Sequence, residues 1–475
     1  MPLTPSIMAV LPQWVAQQRW YAGKGRLPVL RRIDGLRLKD PTGKVDIDVH
    51  LLLDESGRTP TVYQVPLTRR TERLTGGDRA LVATLEPGGH DHHDGDDGDD
   101  HTGTVYIYDA PHDPAFAAAL LALMLDEQNL GLAEGHRLPA ADPGELSASR
   151  VMVGEQSNTS IVLDLVDTLG VPMKPLICKL FRVLQDGQNP DVVVQSALSA
   201  AGSTLVPGSV GYVCGRWPDT AADNGMATGH LAFAQEFLPG VEDAWRVALA
   251  AVAAGADFSE QARSLGQASA QVHATLAQTM GTREATKDDV AALTRSMRAR
   301  HAAALSEVPA LADYDQMILA SIEAVSSIRW PALQRIHGDY HLGQVLDAPG
   351  RGWVLVDFEG EPLRPLAERT HPDLALRDVA GMLRSFDYVA GSWEQEHPGR
   401  SAAPWASQAR TAFLDGYTSS AGRDPREDAV LLDALELDKA LYEVVYEARN
   451  RPTWLTIPIT AIARLSAGPR SDLRP

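Results

Sequence analysis

The chain has 475 residues, with 62 acidic against 43 basic side chains and a formal net charge of −19. That length predicts two or three domains with ample core. The acidic balance excludes a general nucleic-acid binder, which needs clustered Lys and Arg to neutralise phosphates.

The elements read in chain order as follows. Residues 7 to 22 have helical spacing around Trp14, Trp20 and Tyr21, and close at Gly23-Lys24-Gly25. Short strand-like runs follow at 45–53, 61–67 and 105–108 with turn residues between them. Inside this region the tract His90 to His101 holds six Asp and no apolar residue, so it reads as a disordered loop tip. A connector helix is expected over 113–130. Candidate strands then fall at 149–154, 160–165, 176–183, 210–215 and 231–237, with a helix at 190–201 inserted after the third. From 241 onward the spacing is helical, over 241–255, 259–280, 287–307, 313–327, 374–390, 405–419 and 428–450. The fold class expected is α+β: a bilobal, protein-kinase-like chain with a small N-terminal α/β cap (1–112), a β-rich N-lobe (113–236) and a helical C-lobe (237–475).

Two segments carry chemistry. His337-Gly338-Asp339-Tyr340-His341-Leu342-Gly343-Gln344 has the spacing of a kinase catalytic loop, in which an Asp accepts the proton of an attacking hydroxyl and an amide five residues later holds a metal. The apolar run Trp353 to Val356 ends in Asp357-Phe358-Glu359, where a second metal-binding carboxylate is required. Gln344 stands where Asn is usual, and Glu359 where Gly is usual. The expected metal set is Gln344, Asp357 and Glu359, holding Mg²⁺ against the phosphates of ATP, with Asp339 as the catalytic base. Upstream, Lys179 sits in the strand-like, largely apolar run Pro175 to Arg182. The chain has only seven lysines, and one inside such a strand needs a charged partner or ligand. A Glu for it on the following helix is missing, and Asp191 is the candidate substitute. Ser157, Asn158 and Thr159 close the turn expected to cover the phosphates, and the backbone of Gln235, Glu236 and Phe237 is expected to meet the adenine edge.

On the last long helix Lys439, Tyr442, Tyr446 and Arg449 recur at i, i+3, i+7 and i+10, one face, with Glu443 and Glu447 beside it and Trp454 just beyond. With His341, these are the expected acceptor-binding residues. His341 and His273 read as structural histidines rather than catalysts.

Together these motifs resemble the bacterial maltokinases, whose fold is that of the aminoglycoside-phosphotransferase-like kinases with an extra N-terminal cap. The likeness rests on Gln18 to Lys24, Glu155 to Ser160, Lys179 to Arg182, Asn189-Pro190-Asp191, Gln235 to Phe237, His337 to Leu346, Asp357 to Pro362, Leu376 to Phe386, and Asp438 through Pro452. The resemblance implies ATP-dependent phosphorylation of the anomeric hydroxyl of maltose, giving maltose 1-phosphate for a glucan-building route, and association with an enzyme of the trehalose route. A glucosamine kinase, or another aminosugar or aminoglycoside kinase, would share the same loop. Tyr442, Tyr446 and Trp454 favour a neutral sugar, while Glu443 and Glu447 keep an aminosugar open. A pseudokinase is the rival from another class, and it would have lost one of the Lys, loop or metal residues present here.

Two cysteines, Cys178 and Cys214, form no disulfide framework and suit a reducing compartment. Met1 to Met8 shows no basic region leading into an apolar core, and no stretch is long enough to span a bilayer. The expectation is a cytoplasmic protein that meets neither membrane nor nucleic acid.

Overall fold

The computed structural model describes residues 5–86, 103–139, 144–152, 157–222, 224–361 and 364–466. The acidic tract at 90–101 and the turn residues Gly154, Glu155 and Gln156 lie outside them. The chain divides into two compact units, residues Met1–Val192 with Gly208–Pro239, and Val193–Pro207 with Gly240–Pro475. The segment Val193–Pro207, read above with the strand-rich lobe, therefore clusters with the helical unit.

The first unit opens with helix α1 (Pro5–Gln17), followed by strands β1 (Leu30–Lys39), β2 (Asp46–Asp54), β3 (Thr61–Arg70), β4 (Leu81–Leu85) and β5 (Val105–Asp109). These form an antiparallel sheet in the order β1-β2-β3-β5-β4. Ile7, Leu11 and Val15, spaced by one helical turn, pack with Trp20, Leu52, Tyr63 and Val65 on one face of this sheet. Ile47, Val49 and Leu51 of β2 enter a second core with α2 (Pro114–Leu125) and the following sheet. Strand β2 is buried on both faces although Asp46-Ile47-Asp48-Val49-His50-Leu51 alternates, and its second face buries polar groups such as Asp48, which accepts from Arg69 at 2.7 Å.

The second sheet comprises β6 (Ala133–Arg137), β7 (Glu145–Val151), β8 (Asn158–Val166), β9 (Leu176–Phe181), β11 (Ser209–Pro218) and β12 (Met226–Glu236), in the order β6-β11-β12-β9-β8-β7, while β10 (Val183–Leu184) pairs with β3. The chain that leaves the lysine strand thus crosses into the cap sheet. Helix α3 (Pro190–Ala200) starts after Asn189, whose Oδ1 accepts the Asp191 N–H at 2.9 Å, with Pro190 opening the helix.

The second unit carries α4 (Ala244–Ala254), α5 (Ser259–Met280), α6 (Lys287–Glu307), α7 (Asp315–Ala324), the single turn α8 (Leu366–Arg369), α9 (Ala375–Glu396), α10 (Ala403–Ala421), α11 (Ala429–Asn450) and α12 (Thr456–Ser466) around one apolar core. Short strands β13 (Glu242–Asp243), β14 (Thr282–Arg283), β15 (Leu333–Gln334), β16 (Val345–Ala348) and β17 (Gly352–Leu355) break the helical run. The hairpin β16–β17 carries the loop 337–344 on one side and Asp357 on the other. Among the described residues, no helix is long and apolar enough to cross a membrane.

Candidate functional site

The loop 337–344 is held by one carboxylate that the motif reading did not single out. Asp378, near the start of α9 and only 1% exposed, accepts the backbone N–H groups of His337 at 2.8 Å and Gly338 at 2.9 Å. Its Oδ2 also lies 3.0 Å from His273 Nε2, and His273 Nδ1 meets the Tyr417 hydroxyl at 2.9 Å. His273 is therefore structural, a link between the loop's anchor and α10. His337 Nε2 donates to the Val356 carbonyl at 3.0 Å, which ties the loop to the Asp357 segment. Two glycines make this possible. Gly338 turns the loop at φ +86°, and Gly381 lets α9 press on the Tyr340 carbonyl, where a Cβ would come within 2.5 Å.

Asp339 is thereby fixed with Oδ1 3.1 Å from Lys439 Nζ on α11. Lys439 also faces Glu361 at 3.6 Å, and Glu361 is held by Arg364 at 3.0 Å and Arg300 at 3.5 Å. Burial pushes the Asp339 carboxyl up, but the Lys439 ammonium and the neighbouring histidines pull harder, so it stays below the usual range and is ionised at neutral pH. Burial would discharge Lys439, but Asp339, Glu361 and Glu443 outweigh it and raise its pKa. Lys439, expected as an acceptor-binding group, lines the cavity beside Asp339 and is at the same time paired with Asp339 and faced by the buried Glu361. His341 accepts the Gly343 N–H through Nδ1 at 3.0 Å and borders the same cavity as Asp339.

The metal-binding candidates are neighbours. Gln344 Nε2 donates to Asp357 Oδ2 at 3.0 Å, and the Gln344 carbonyl accepts the Val356 N–H at 3.0 Å. Asp357 has φ +67°, a left-handed conformation in which a non-glycine residue is strained, and such strain concentrates at working sites. The Glu359 carbonyl is held by Arg369 at 3.0 Å. An amide oxygen and two carboxylates are the hard oxygen donors that Mg²⁺ takes, so these residues fit that ion.

Beside Asp339 lies a cavity of about 450 Å³, walled by α9, α11 and the residues after α11. Tyr442 and Tyr446 stack with centroids 6.5 Å apart. Arg451 lies 4.4 Å from the Trp454 ring and 5.5 Å from that of Tyr446, held there by Glu447 at 2.9 Å. Tyr388 donates to Glu447 at 3.1 Å and stacks with Trp454. Glu443 is different: Arg384 Nε and Nη2 both donate to its Oε2, at 3.0 and 2.6 Å, and no described residue bonds its Oε1. Burial outweighs Arg384, so the Glu443 pKa is raised. Arg449, expected with this group, does not line the cavity; it is exposed and pairs with Glu307 at 2.8 Å. Tyr388, Arg451 and Trp245 were missed. Arg451 sits one turn past Glu447, which was the available signal.

In the strand-rich unit, Lys179 Nζ lies 2.8 Å from Asp191, which is fully buried. The missing Glu partner is thus replaced by an Asp in the first turn of α3. Ser157 is exposed and Asn158 half-buried at the start of β8, but Thr159 is buried, with its Oγ1 accepting from Arg182 at 2.8 Å. The N–H groups of Glu236 and Phe237 are likewise taken, by the carbonyls of Gly208 at 2.8 Å and Pro175 at 2.9 Å.

The chain belongs to the phosphotransferase enzyme family, whose model matches residues 197–434, and it has the fold of that family. Ahead of that match, residues 14–113 match the maltokinase N-terminal cap domain. The chain is thus an enzyme of the phosphotransferase class, as the loop spacing implied, with the cap that the maltokinase resemblance called for. Among characterised proteins it is similar to a glucosamine kinase of Streptacidiphilus jiangxiensis, 32% identical over 253 residues, 50% of this chain and 57% of that one. It is also similar to a glucosamine kinase of Mycolicibacterium smegmatis, 29% identical over 344 residues, 66% of this chain and 79% of that one. The chain thus matches little more than half the length of the first of these relatives. A solved glucosamine kinase in complex with glucosamine, ADP and inorganic phosphate shares the fold, with a TM-score of 0.67 at 23% identity over 96% of this chain and 98% of that one.

Proposed function

We propose that the protein is an ATP-dependent sugar kinase and that its acceptor is an aminosugar of the glucosamine class. The observation that carries this is Glu443, a buried carboxylate in the wall of the cavity beside Asp339, under-compensated by its one arginine and with Oε1 open. A ligand ammonium supplies the charge that such a carboxylate lacks. The two glucosamine kinases among the relatives support the same choice. The volume lies in the range of small-molecule pockets, roughly 300 to 1,000 Å³.

In this reading Asp339 accepts the proton of the acceptor hydroxyl at its carboxylate, while Lys439 keeps it ionised and oriented. Tyr442, Tyr446 and Trp454 offer ring faces to the sugar's C–H surface. In the strand-rich unit, Lys179 and the start of β8 bind nucleotide phosphates. Gln344, Asp357 and Glu359 would hold Mg²⁺, which when bound supplies charge neutralisation at the phosphate oxygens. Most of the acceleration then comes from positioning and electrostatics.

A second reading, maltose phosphorylated at its anomeric hydroxyl to maltose 1-phosphate, is favoured by the cap match and by the aromatic lining, which suits a neutral disaccharide. Glu443→Gln separates the two. If the acceptor is an amine, loss of a charge-assisted bond worth about 1.5 to 3 kcal/mol raises the glucosamine KM by roughly 10- to 100-fold, with the ATP KM unchanged. Robust turnover of maltose with no turnover of glucosamine by the unaltered enzyme would reverse the assignment.

A further inference from the structure

Within the strand-rich unit one guanidinium joins four pieces of chain. Arg182 follows the lysine strand β9 and is fully buried. Its Nη2 is bidentate to Asp109 at the end of cap strand β5, at 2.8 and 2.7 Å. Its guanidinium carbon lies 4.9 Å from the ring of Trp20, in the turn after cap helix α1. Its Nε donates to Thr159 Oγ1 at 2.8 Å, two residues beyond Ser157 on β8. Its own carbonyl accepts the N–H of Gln64 on cap strand β3, and the Gln64 side chain in turn donates to the Phe181 carbonyl at 3.0 Å. On the partner strand the register places Thr159 opposite Leu180 and Ser160 opposite Lys179. The same side chain therefore grips the cap through Asp109 and Trp20, and through Thr159 it grips the two strands that carry Lys179, Ser157 and Asn158.

Stability alone is a poor reason for this arrangement. A buried ion pair is often no more stabilising than a well-packed apolar replacement, and Arg182 leaves its Nη1 without a hydrogen-bond partner. What a fork-shaped cation adds over an apolar side chain is fixed geometry at three separate acceptors. We infer that Arg182 is a positioning residue through which the cap sets the geometry of the nucleotide's phosphate-binding strands. This rests on the reading that Lys179 and the start of β8 face the phosphates. The cap is then part of the nucleotide site in effect.

Removing Arg182 itself tests folding as much as positioning, so its partners are changed instead, in the full chain: Trp20→Leu on the cap side and Thr159→Val on the strand side, with Trp20→Phe as the conservative control. Mg-ATP affinity is measured by titration calorimetry, melting temperature in parallel, and KM for ATP and for the acceptor by ADP release. Trp20→Leu and Thr159→Val are expected to weaken Mg-ATP roughly 2- to 30-fold, leave the acceptor KM within about twofold, and fail to add in the double variant, because both act through Arg182. Trp20→Phe, which keeps a ring under the guanidinium, is expected to restore affinity. Lowered melting temperature with Mg-ATP affinity unchanged in both variants would overturn the inference and leave Arg182 structural. Lys179→Ala serves as the separate check: if it too leaves Mg-ATP affinity unchanged, the assignment of the phosphate-binding strands has failed, and the inference fails with it.

Discussion

The loop 337–344 and the wall proposed to bind the acceptor belong to the same helical unit, yet they are held in opposite ways. Bonds to its backbone hold the loop: Asp378 takes two successive N–H groups and Ser385 takes the Leu342 N–H at 3.1 Å, with one side-chain bond added between the Tyr340 and Ser269 hydroxyls at 2.8 Å. The wall is made of side chains, rings and ion pairs strung along α9 and α11, and part of it is open to solvent. Phosphoryl transfer needs a carboxylate placed within a fraction of an ångström, which buried backbone anchoring provides. Acceptor choice needs a surface that evolution can alter without disturbing that carboxylate, and side chains on helix faces provide it. On the proposed reading the chemistry of this chain is rigid and local, while its specificity is distributed.

The largest effect expected is at the loop. Asp339→Asn keeps the shape but removes the proton acceptor, and a fall in kcat of about 100- to 10,000-fold is expected, with Mg-ATP affinity and melting temperature nearly unchanged. Turnover within tenfold of the unaltered enzyme would break the contrast by showing that Asp339 is not the base. Asp378→Ala leaves two buried N–H groups and His273 without their acceptor. It should cost about 3 kcal/mol or more of stability, read as a denaturant midpoint shift, and abolish turnover as well. If it lost neither, the loop would have an anchor other than Asp378.

This contrast also sets how much was legible in the sequence. Asp339, Gln344 and Asp357 lie within about twenty residues and announce themselves by spacing. Their anchor Asp378 comes from the next helix, and nothing in a lone acid among apolar residues says which loop it will hold. The pairing of Lys439 with Asp339 was not legible because the two are 100 residues apart in sequence. On α11 the face was read through Lys439, Tyr442, Tyr446 and Arg449; the buried line runs instead through Glu443 and Glu447, which left Arg449 at the solvent edge. The fold shows the same division. The helices Ser259–Met280 and Lys287–Glu307 were read to the residue, the second being opened by a capping box at Thr286 and Asp289. Strands β1 and β6 were missed because both are sheet edges whose charged residues hide the alternation. Helix α12 was missed because Pro458 sits near its start and reads as a breaker.

Lys439 stands between the two regions, and its removal sharpens the comparison through pH. The folded-state pKa of Asp339 is depressed, so its ionised form is favoured and is lost only as pH falls through that lowered value. In Lys439→Met burial is no longer outweighed, and the Asp339 pKa rises. The acid limb of the kcat/KM profile should move to higher pH by about one to three units, while the neutral-pH plateau falls less than in Asp339→Asn. An acid limb that stays in place would mean that the ammonium does not tune the base.

Tyr446→Ala probes the distributed side, and the smallest effect belongs here. The ring is 43% exposed, stacks 6.5 Å from Tyr442, and shares the Arg451 guanidinium with Trp454. A partly solvated ring contact is worth about 0.5 to 1 kcal/mol, and Trp454 and Tyr442 remain to cover the sugar. The acceptor KM should therefore rise only about two- to fivefold, with kcat and the ATP KM unchanged. A rise beyond about fiftyfold would make Tyr446 a single anchor and end the description of the wall as distributed. No change at all would place the sugar deeper, against Glu443 and Trp454, where the buried carboxylate rather than the ring decides what binds.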